Sequence, residues 1–212
     1  MKLLELFAGT HTLSDTFKER GWETYTVDWN EELDVDLHVD IGKLTVDDII
    51  KLCNGVPDVI WASPDCTTYS IAGIGHHRYY FLRKLYPKSD YAKLCDEINI
   101  HVIDMIHELL KLGTKYYFIE NPRGGMRKME FMKPLPRYTI TYCKYGETRM
   151  KPTDIWTNHP DPKFIPPCKQ GDKCHESSPR SSKSGTQAID CPLLRAKLPK
   201  LLCEHIEEIC RE

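Results

Sequence analysis

Two side chains of this sequence sit where folded chains display reactive groups. Cys66 lies in Asp58-Val59-Ile60-Trp61-Ala62-Ser63-Pro64-Asp65-Cys66-Thr67-Thr68-Tyr69-Ser70. The short apolar run Val59 to Ala62 reads as a buried strand. A cysteine just past its end, in a loop opened by Pro64, is placed to attack a bound substrate as its thiolate. Asp65, directly before it, sets a negative charge beside that sulfur and raises its pKa. Glu120 ends a second apolar run, Tyr116 to Ile119, and is followed by the sharp turn Asn121-Pro122-Arg123-Gly124-Gly125. Desolvation raises the pKa of a half-buried carboxyl at such a strand tip, which lets it donate a proton near neutral pH. Nucleophile and acid, fifty-four positions apart, can act together only if neighbouring strands bring them to one pocket.

A third element reads as a cofactor loop. Leu4-Glu5-Leu6-Phe7-Ala8-Gly9-Thr10-His11-Thr12-Leu13-Ser14 runs from strand through glycine to helix, and Asp28 ends the next strand nineteen residues after Gly9. An acid there can accept hydrogen bonds from both ribose hydroxyls of a nucleoside. The multi-glycine dinucleotide pattern is absent, which disfavours NAD and leaves a nucleoside without pyrophosphate as the better ligand. Trp29 could stack on an adenine, and Asp40 could accept from its exocyclic amine.

These groups need a scaffold that alternates strand and helix. After the first strand, Leu13 and Phe17 mark one face of a helix with Thr12 as a plausible N-cap and Gly21 as its stop. Strands follow at 22–28, 59–62, 116–119, 138–142 and 154–157, with helices at 47–52 and from Leu94 to Leu109, the latter ended by Gly113. That order predicts an α/β fold, a doubly wound and mostly parallel sheet with helices on both faces. Residues 71–93 read as irregular, aromatic and basic, with Gly73 and Gly75 as hinges. Residues 159–192 hold six prolines and no clear period, so they read as a small loop-built appendage. The expected division is a catalytic core over 1–158, a reduced recognition region over 159–192 and a C-terminal helix over 193–212 packing back on the core.

Together the three motifs resemble the DNA cytosine-5 methyltransferase family, in particular its short phage and prophage members. Phe7-Ala8-Gly9 is similar to the family's first motif, Pro64-Asp65-Cys66 to its Pro-Cys nucleophile motif, and Glu120-Asn121-Pro122 to its Glu-Asn-Val/Pro motif. Tyr145-Gly146 followed by Arg149, Lys151 and Thr153 stands in place of Gln-x-Arg-x-Arg. Arg195 to Pro199 with the helix after it resembles the last motif. Pro152 to Asn158 and the stretch from Pro179-Arg180-Ser181 look most like the phage forms. The resemblance implies an S-adenosylmethionine-binding fold of Rossmann-like type. The implied cofactor contacts are Phe7, Ala8, Gly9, Thr10, Asp28, Trp29, Asp40, Ile41 and Pro64. It implies methyl transfer to carbon 5 of a cytosine flipped out of double-stranded DNA, with Cys66 adding to carbon 6, Glu120 engaging ring nitrogen 3, and Arg149 and Lys151 beside them. Protection against restriction is the role it suggests. An RNA cytosine-5 methyltransferase and a non-catalytic DNA-binding relative remain open. Asp65 in place of a proline, Lys151 and Thr153 in place of two arginines, and the small recognition region depart from the pattern, and the last leaves room for a separate specificity partner.

The charge distribution fits a polyanion partner. Residues 15–58 carry twelve acids against four bases, whereas residues 59–212 carry twenty-four bases against eighteen acids, within a net charge of −2. Arg78, Arg83, Lys84, Arg123 and Arg127 are the expected DNA contacts, and Tyr79, Tyr80 and Phe81 could fill the space left by a flipped base. Cys168, Cys174, His175 and Cys191 could hold one zinc ion. Cys53, Cys95, Cys143, Cys203 and Cys210 read as inert core thiols. No run is apolar enough for a membrane span, no cleavable leader precedes the first strand, and nine scattered cysteines read as reduced, which together predict a cytoplasmic protein in a bacterial or phage-infected cell.

Overall fold

A computed structural model describes residues 1–169, 171–176 and 191–212; the Pro179-Arg180-Ser181 stretch lies outside them. In chain order the elements begin β1 (Lys2–Leu6), α1 (Thr12–Glu19), β2 (Glu23–Asp28), β3 (Leu37–His38), α2 (Val46–Leu52) and β4 (Val59–Ala62). There follow α3 (Ile74–His77), β5 (Arg78–Phe81), β6 (Lys84–Pro87), α4 (Asp90–Leu112) and β7 (Tyr116–Pro122). The chain closes with β8 (Arg137–Thr141), β9 (Pro152–Thr157), α5 (Pro192–Ala196) and α6 (Lys200–Arg211). The main sheet has the order β3-β2-β1-β4-β7-β9-β8. β1, β2, β3, β4 and β7 pair in parallel, and β9 runs antiparallel to both its neighbours. The fold is therefore the expected doubly wound α/β sheet. Strand order reverses between β1 and β4, which is where such sheets open a crevice at their carboxyl ends.

The pleat sorts side chains into two cores. Leu4, Leu6, Ile60, Ala62, Tyr117 and Ile119 face one side, where Val102, Ile106 and Leu109 of α4 and Ile49 of α2 cover them. Leu3, Val59, Trp61 and Phe118 face the other, against Leu13 and Phe17 of α1 and Leu202 and Ile206 of α6. Strands buried on both faces read as continuous apolar runs, which is why they stand out in the sequence. α6 lies beside α1: Glu207 accepts from Trp22 Nε1 at 2.7 Å and from Arg20 Nη1 at 3.0 Å. No described helix is long and apolar enough to cross a membrane.

Two local expectations are corrected. Thr12 does not cap α1; His11 holds the cap position in a left-handed conformation and makes no side-chain cap. The cap comes from β1, where the buried Glu5 carboxyl accepts from the Ser14 N–H at 3.0 Å and from the Ser14 hydroxyl. A carboxyl aimed at the first turn satisfies an orphan N–H and lies in the favourable end of the helix dipole. Residues 71–93 are not irregular but carry α3 and an antiparallel β5–β6 hairpin, registered Tyr79 to Tyr86 and Phe81 to Lys84. Its two-residue turn is Leu82-Arg83, both at positive φ (45° and 65°). Hairpin turns of that shape are usually recognised by glycine or asparagine, so the sequence hides it.

Burial pushes the Glu5 carboxyl up to about 7, with the Ser14 hydrogen bonds acting the other way. The folded chain thus keeps a proton that the unfolded chain has released, so stability falls as pH rises from about 4.5 to about 7 and is level above that window. Glu5→Gln keeps an acceptor for Ser14 and removes this slope. Urea unfolding across that pH range is expected to show a pH dependence flatter by about 3 kcal/mol.

Candidate active site

The expected cofactor residues gather beyond the carboxyl ends of β1 to β4. Phe7, Gly9 and His11 all take positive φ (59°, 51° and 55°), so the chain turns sharply away from the sheet after β1. Asp28, at the tip of β2, is buried; its two oxygens accept from the Gly9 N–H at 3.3 Å and the Asn30 N–H at 3.0 Å. Each oxygen keeps a lone pair for a further donor. Trp29 beside it is 69% exposed. Asp40, just past β3, accepts from the Gly42 N–H and starts the 3-10 turn of Ile41–Lys43, in which Ile41 itself is a core side chain. Pro64 follows β4.

Cys66 and Glu120 leave adjacent strands, because β4 and β7 pair with Ala62 opposite Ile119. Their loops are clamped together. Asn121 Nδ2 donates to the Pro64 carbonyl at 2.9 Å, and the Gly125 N–H donates to the Tyr69 carbonyl at 2.6 Å. A Cβ at Gly124 would collide with that same carbonyl, and one at Gly73 would lie 2.6 Å from the Thr67 carbonyl. Gly73 is thus a close-packing residue and not a hinge. Asn121 Oδ1 is buried with no partner among the described residues, an open acceptor next to Glu120.

The electrostatics are those of a dry site. Glu120 is buried and held above its ordinary pKa by desolvation, opposed by the Lys151 charge and by the Tyr142 hydroxyl, which donates to Oε1 at 3.0 Å. Burial, then the Asp65 and Glu120 charges, push the Cys66 thiol up to about 11, with Lys151 pulling it down. Lys151 is itself lowered by desolvation; its Nζ lies 4.3 Å from the Tyr142 ring centroid and donates to the Arg195 carbonyl at 3.0 Å. Arg149 is buried in an ion pair with Glu147, at 2.6 Å from Nε, and so braces the turn before β9. Tyr142, which the sequence offers only as the end of a strand, is the unanticipated member of this group.

The expected DNA contacts divide. Arg78 is a correction: its side chain is fully buried, paired with Asp96 at 2.7 Å, donating to the Thr68 carbonyl and hydroxyl at 2.9 Å each, and stacked 4.1 Å from the Tyr69 ring centroid. It anchors the turn after Cys66 and cannot meet phosphate. Arg127 is largely committed to the buried carboxylate of Asp154. Arg83, Lys84 and Arg123 are exposed. Tyr79, Tyr80, Phe81 and Leu82 project from the hairpin at 49–79% exposure, beside a hollow of about 330 Å³ lined by Tyr80, Arg123 and Lys128 among others. The metal expectation is also corrected. Cys191 is exposed and stands apart, while Cys143, assigned to the core by sequence, joins Cys168, Cys174 and His175.

No protein-family model matches the chain. A protein of Frog virus 3 described as a probable DNA (cytosine-5)-methyltransferase is 29% identical over 188 residues, 87% of this chain and 82% of that one. Among solved structures, a protein encoded within an E. coli prophage and described as a putative DNA modification methyltransferase matches with TM-score 0.55 and 14% identity, over 81% of this chain and 52% of its own. The Entamoeba histolytica methyltransferase EhMeth matches with TM-score 0.53 and 16% identity, over 84% and 57%. The chain therefore spans little more than half the length of these two structures. These two structures share the fold of the chain. In sequence the chain is similar to a protein described as a probable DNA (cytosine-5)-methyltransferase, the family its motifs resemble.

Two outcomes test this geometry. Arg78→Ala leaves Asp96 buried and uncompensated, and is expected to lower unfolding free energy by about 3–5 kcal/mol in denaturant titration. Asp65→Asn removes a charge that raises the Cys66 thiol. The pH profile of Cys66 alkylation, followed by peptide mass spectrometry, is expected to move to lower pH.

Proposed function

We propose that the chain methylates carbon 5 of cytosine in DNA, with S-adenosylmethionine as donor and Cys66 as covalent nucleophile. The observation that supports this best is the clamp joining the Cys66 loop to the Glu120 turn, with a raised carboxyl on one side and a thiol on the other. Glu120, whose carboxyl burial holds above its ordinary pKa, engages ring nitrogen 3 as a proton donor. Cys66 gives its proton to solvent as its sulfur bonds carbon 6, and Glu120 passes its own proton to nitrogen 3, which makes carbon 5 nucleophilic. S-adenosylmethionine, when bound, supplies the electrophilic methyl group. Solvent takes the carbon 5 proton, the Cys66 sulfur departs as a thiolate, and nitrogen 3 returns its proton to Glu120, which restores the aromatic ring. The Tyr142 hydroxyl holds Glu120 in place, and the Lys151 charge offsets that of Glu120 when it ionises.

The donor set past β1 and β2 fits the cofactor. Asp28 has lone pairs for ribose hydroxyls, Trp29 offers an open aromatic face, and Phe7 to Thr10 turn without filling the space beyond the strand, since a Cβ at Gly9 would touch only the Phe7 carbonyl. Asp40 can accept from an adenine amine. The exposed Tyr79-Tyr80-Phe81-Leu82 tip, with Arg83, Lys84 and Arg123 nearby, supports an apolar wedge and phosphate contacts for a flipped base. Two non-glycine residues held at positive φ are a strain retained for use at a tip otherwise exposed to water. The short region after residue 158 supports a specificity partner. Modification of viral or prophage DNA is supported by the origins of two of the proteins it resembles.

The test is bisulfite sequencing of DNA, and in parallel of RNA, from cells expressing the chain or its Cys66→Ala variant. The expected result is 5-methylcytosine in a defined DNA context, reduced at least ~1000-fold in the variant. Methylation confined to RNA would replace the substrate, and methyl transfer surviving in Cys66→Ala would remove the covalent route.

A further inference from the structure

Cys143, Cys168, Cys174 and His175 place their ligand atoms within 4.8 Å of one another. The sulfurs of Cys143 and Cys168 are 3.2 Å apart, those of Cys143 and Cys174 3.6 Å. His175 Nδ1 lies 3.6 Å from the Cys168 sulfur and 3.8 Å from that of Cys174. Around a tetrahedral zinc with bonds of about 2.3 Å to sulfur and about 2.1 Å to nitrogen, ligand atoms stand roughly 3.5–3.8 Å apart. Cys143 and Cys168 are buried and Cys174 and His175 half-buried, so the group is neither a surface scatter nor part of the apolar core. We infer that these four residues form a closed structural zinc site.

Four protein ligands leave no open coordination position, so the ion's work is architectural. The described part of 159–176 contains no helix or strand. Its backbone is tied to the rest at the Ile165 N–H to the Tyr145 hydroxyl at 3.0 Å, the Cys168 N–H to Thr141 Oγ1 at 3.0 Å and the Glu176 N–H to the Thr148 carbonyl at 2.9 Å. Cys143 stands in the 3-10 turn of Tyr142–Tyr145, directly after β8. The ion would thus staple an irregular segment to a rigid sheet edge, as metals do in small units with little core of their own. The inference is independent of the methyl-transfer reading, because it concerns metal content and not turnover.

Metal analysis of the purified full chain is expected to give stoichiometric zinc. Replacement by cobalt(II) is expected to give the sulfur-to-cobalt charge-transfer band and the intense visible absorption of tetrahedral thiolate ligation. Chelator is expected to lower the thermal midpoint, and added zinc to restore it. Cys191→Ser retains the metal, whereas Cys174→Ser and His175→Ala lose it or bind it more weakly. If the last two fail to fold, the cobalt spectrum of the unaltered chain still decides. Absence of the thiolate bands, a metal-free chain with a Cys143–Cys168 disulfide, or loss of metal in Cys191→Ser would each overturn the site.

Discussion

The short bridge between two loops is the constraint on which the site depends. The turn after Cys66 and the turn after Glu120 approach until backbone meets backbone, through the Gly125 N–H and the Tyr69 carbonyl, with Asn121 reaching the Pro64 carbonyl. Side-chain atoms at position 124 would prevent this. Parallel pairing of β4 with β7 sets the loops side by side, but pairing alone leaves loops free to splay. The hydrogen bonds fix their separation, as the proposed chemistry, in which both groups meet one small ring, requires.

Several charges are buried in the molecule, each stabilised differently. Arg78 is enclosed by Asp96, Thr68 and the Tyr69 ring, so an expensive buried cation is matched by a carboxylate, a carbonyl, a hydroxyl and a π face. Glu5 is met by a helix end and drifts toward its neutral form. Glu120 has one hydroxyl donor and the field of Lys151, too little to offset its desolvation, so its carboxyl stays above its ordinary pKa. Burial therefore yields a structural anchor in one case and a chemical group in another, according to how completely the partner shell is filled.

Much of the architecture was legible because its signals are local. Apolar runs at 59–62 and 116–119, glycine stops at 21 and 113, and the long period from Leu94 to Leu109 all correspond to observed elements. The β5–β6 hairpin escaped because Leu82-Arg83 lacks the residue types that normally mark such a turn. Arg78 was misread because a basic residue in an aromatic, basic stretch looks solvent-facing, and its partner Asp96 lies eighteen positions away on another element. Cys143 looked like a core thiol for a similar reason: its neighbours Cys168, Cys174 and His175 come from a segment with no periodicity to say where it returns.

Spacing along one chain carries the types and order of most elements, the apolar faces that build the sheet, and a thiol and a carboxyl at strand ends. Which charges are buried and with whom, that Tyr142 holds Glu120, and that the Cys66 loop rests on Arg78 rather than offering it to a ligand emerge from the folded molecule alone. Partner choice depends on distances between segments far apart in sequence, and those distances exist only once the sheet has closed.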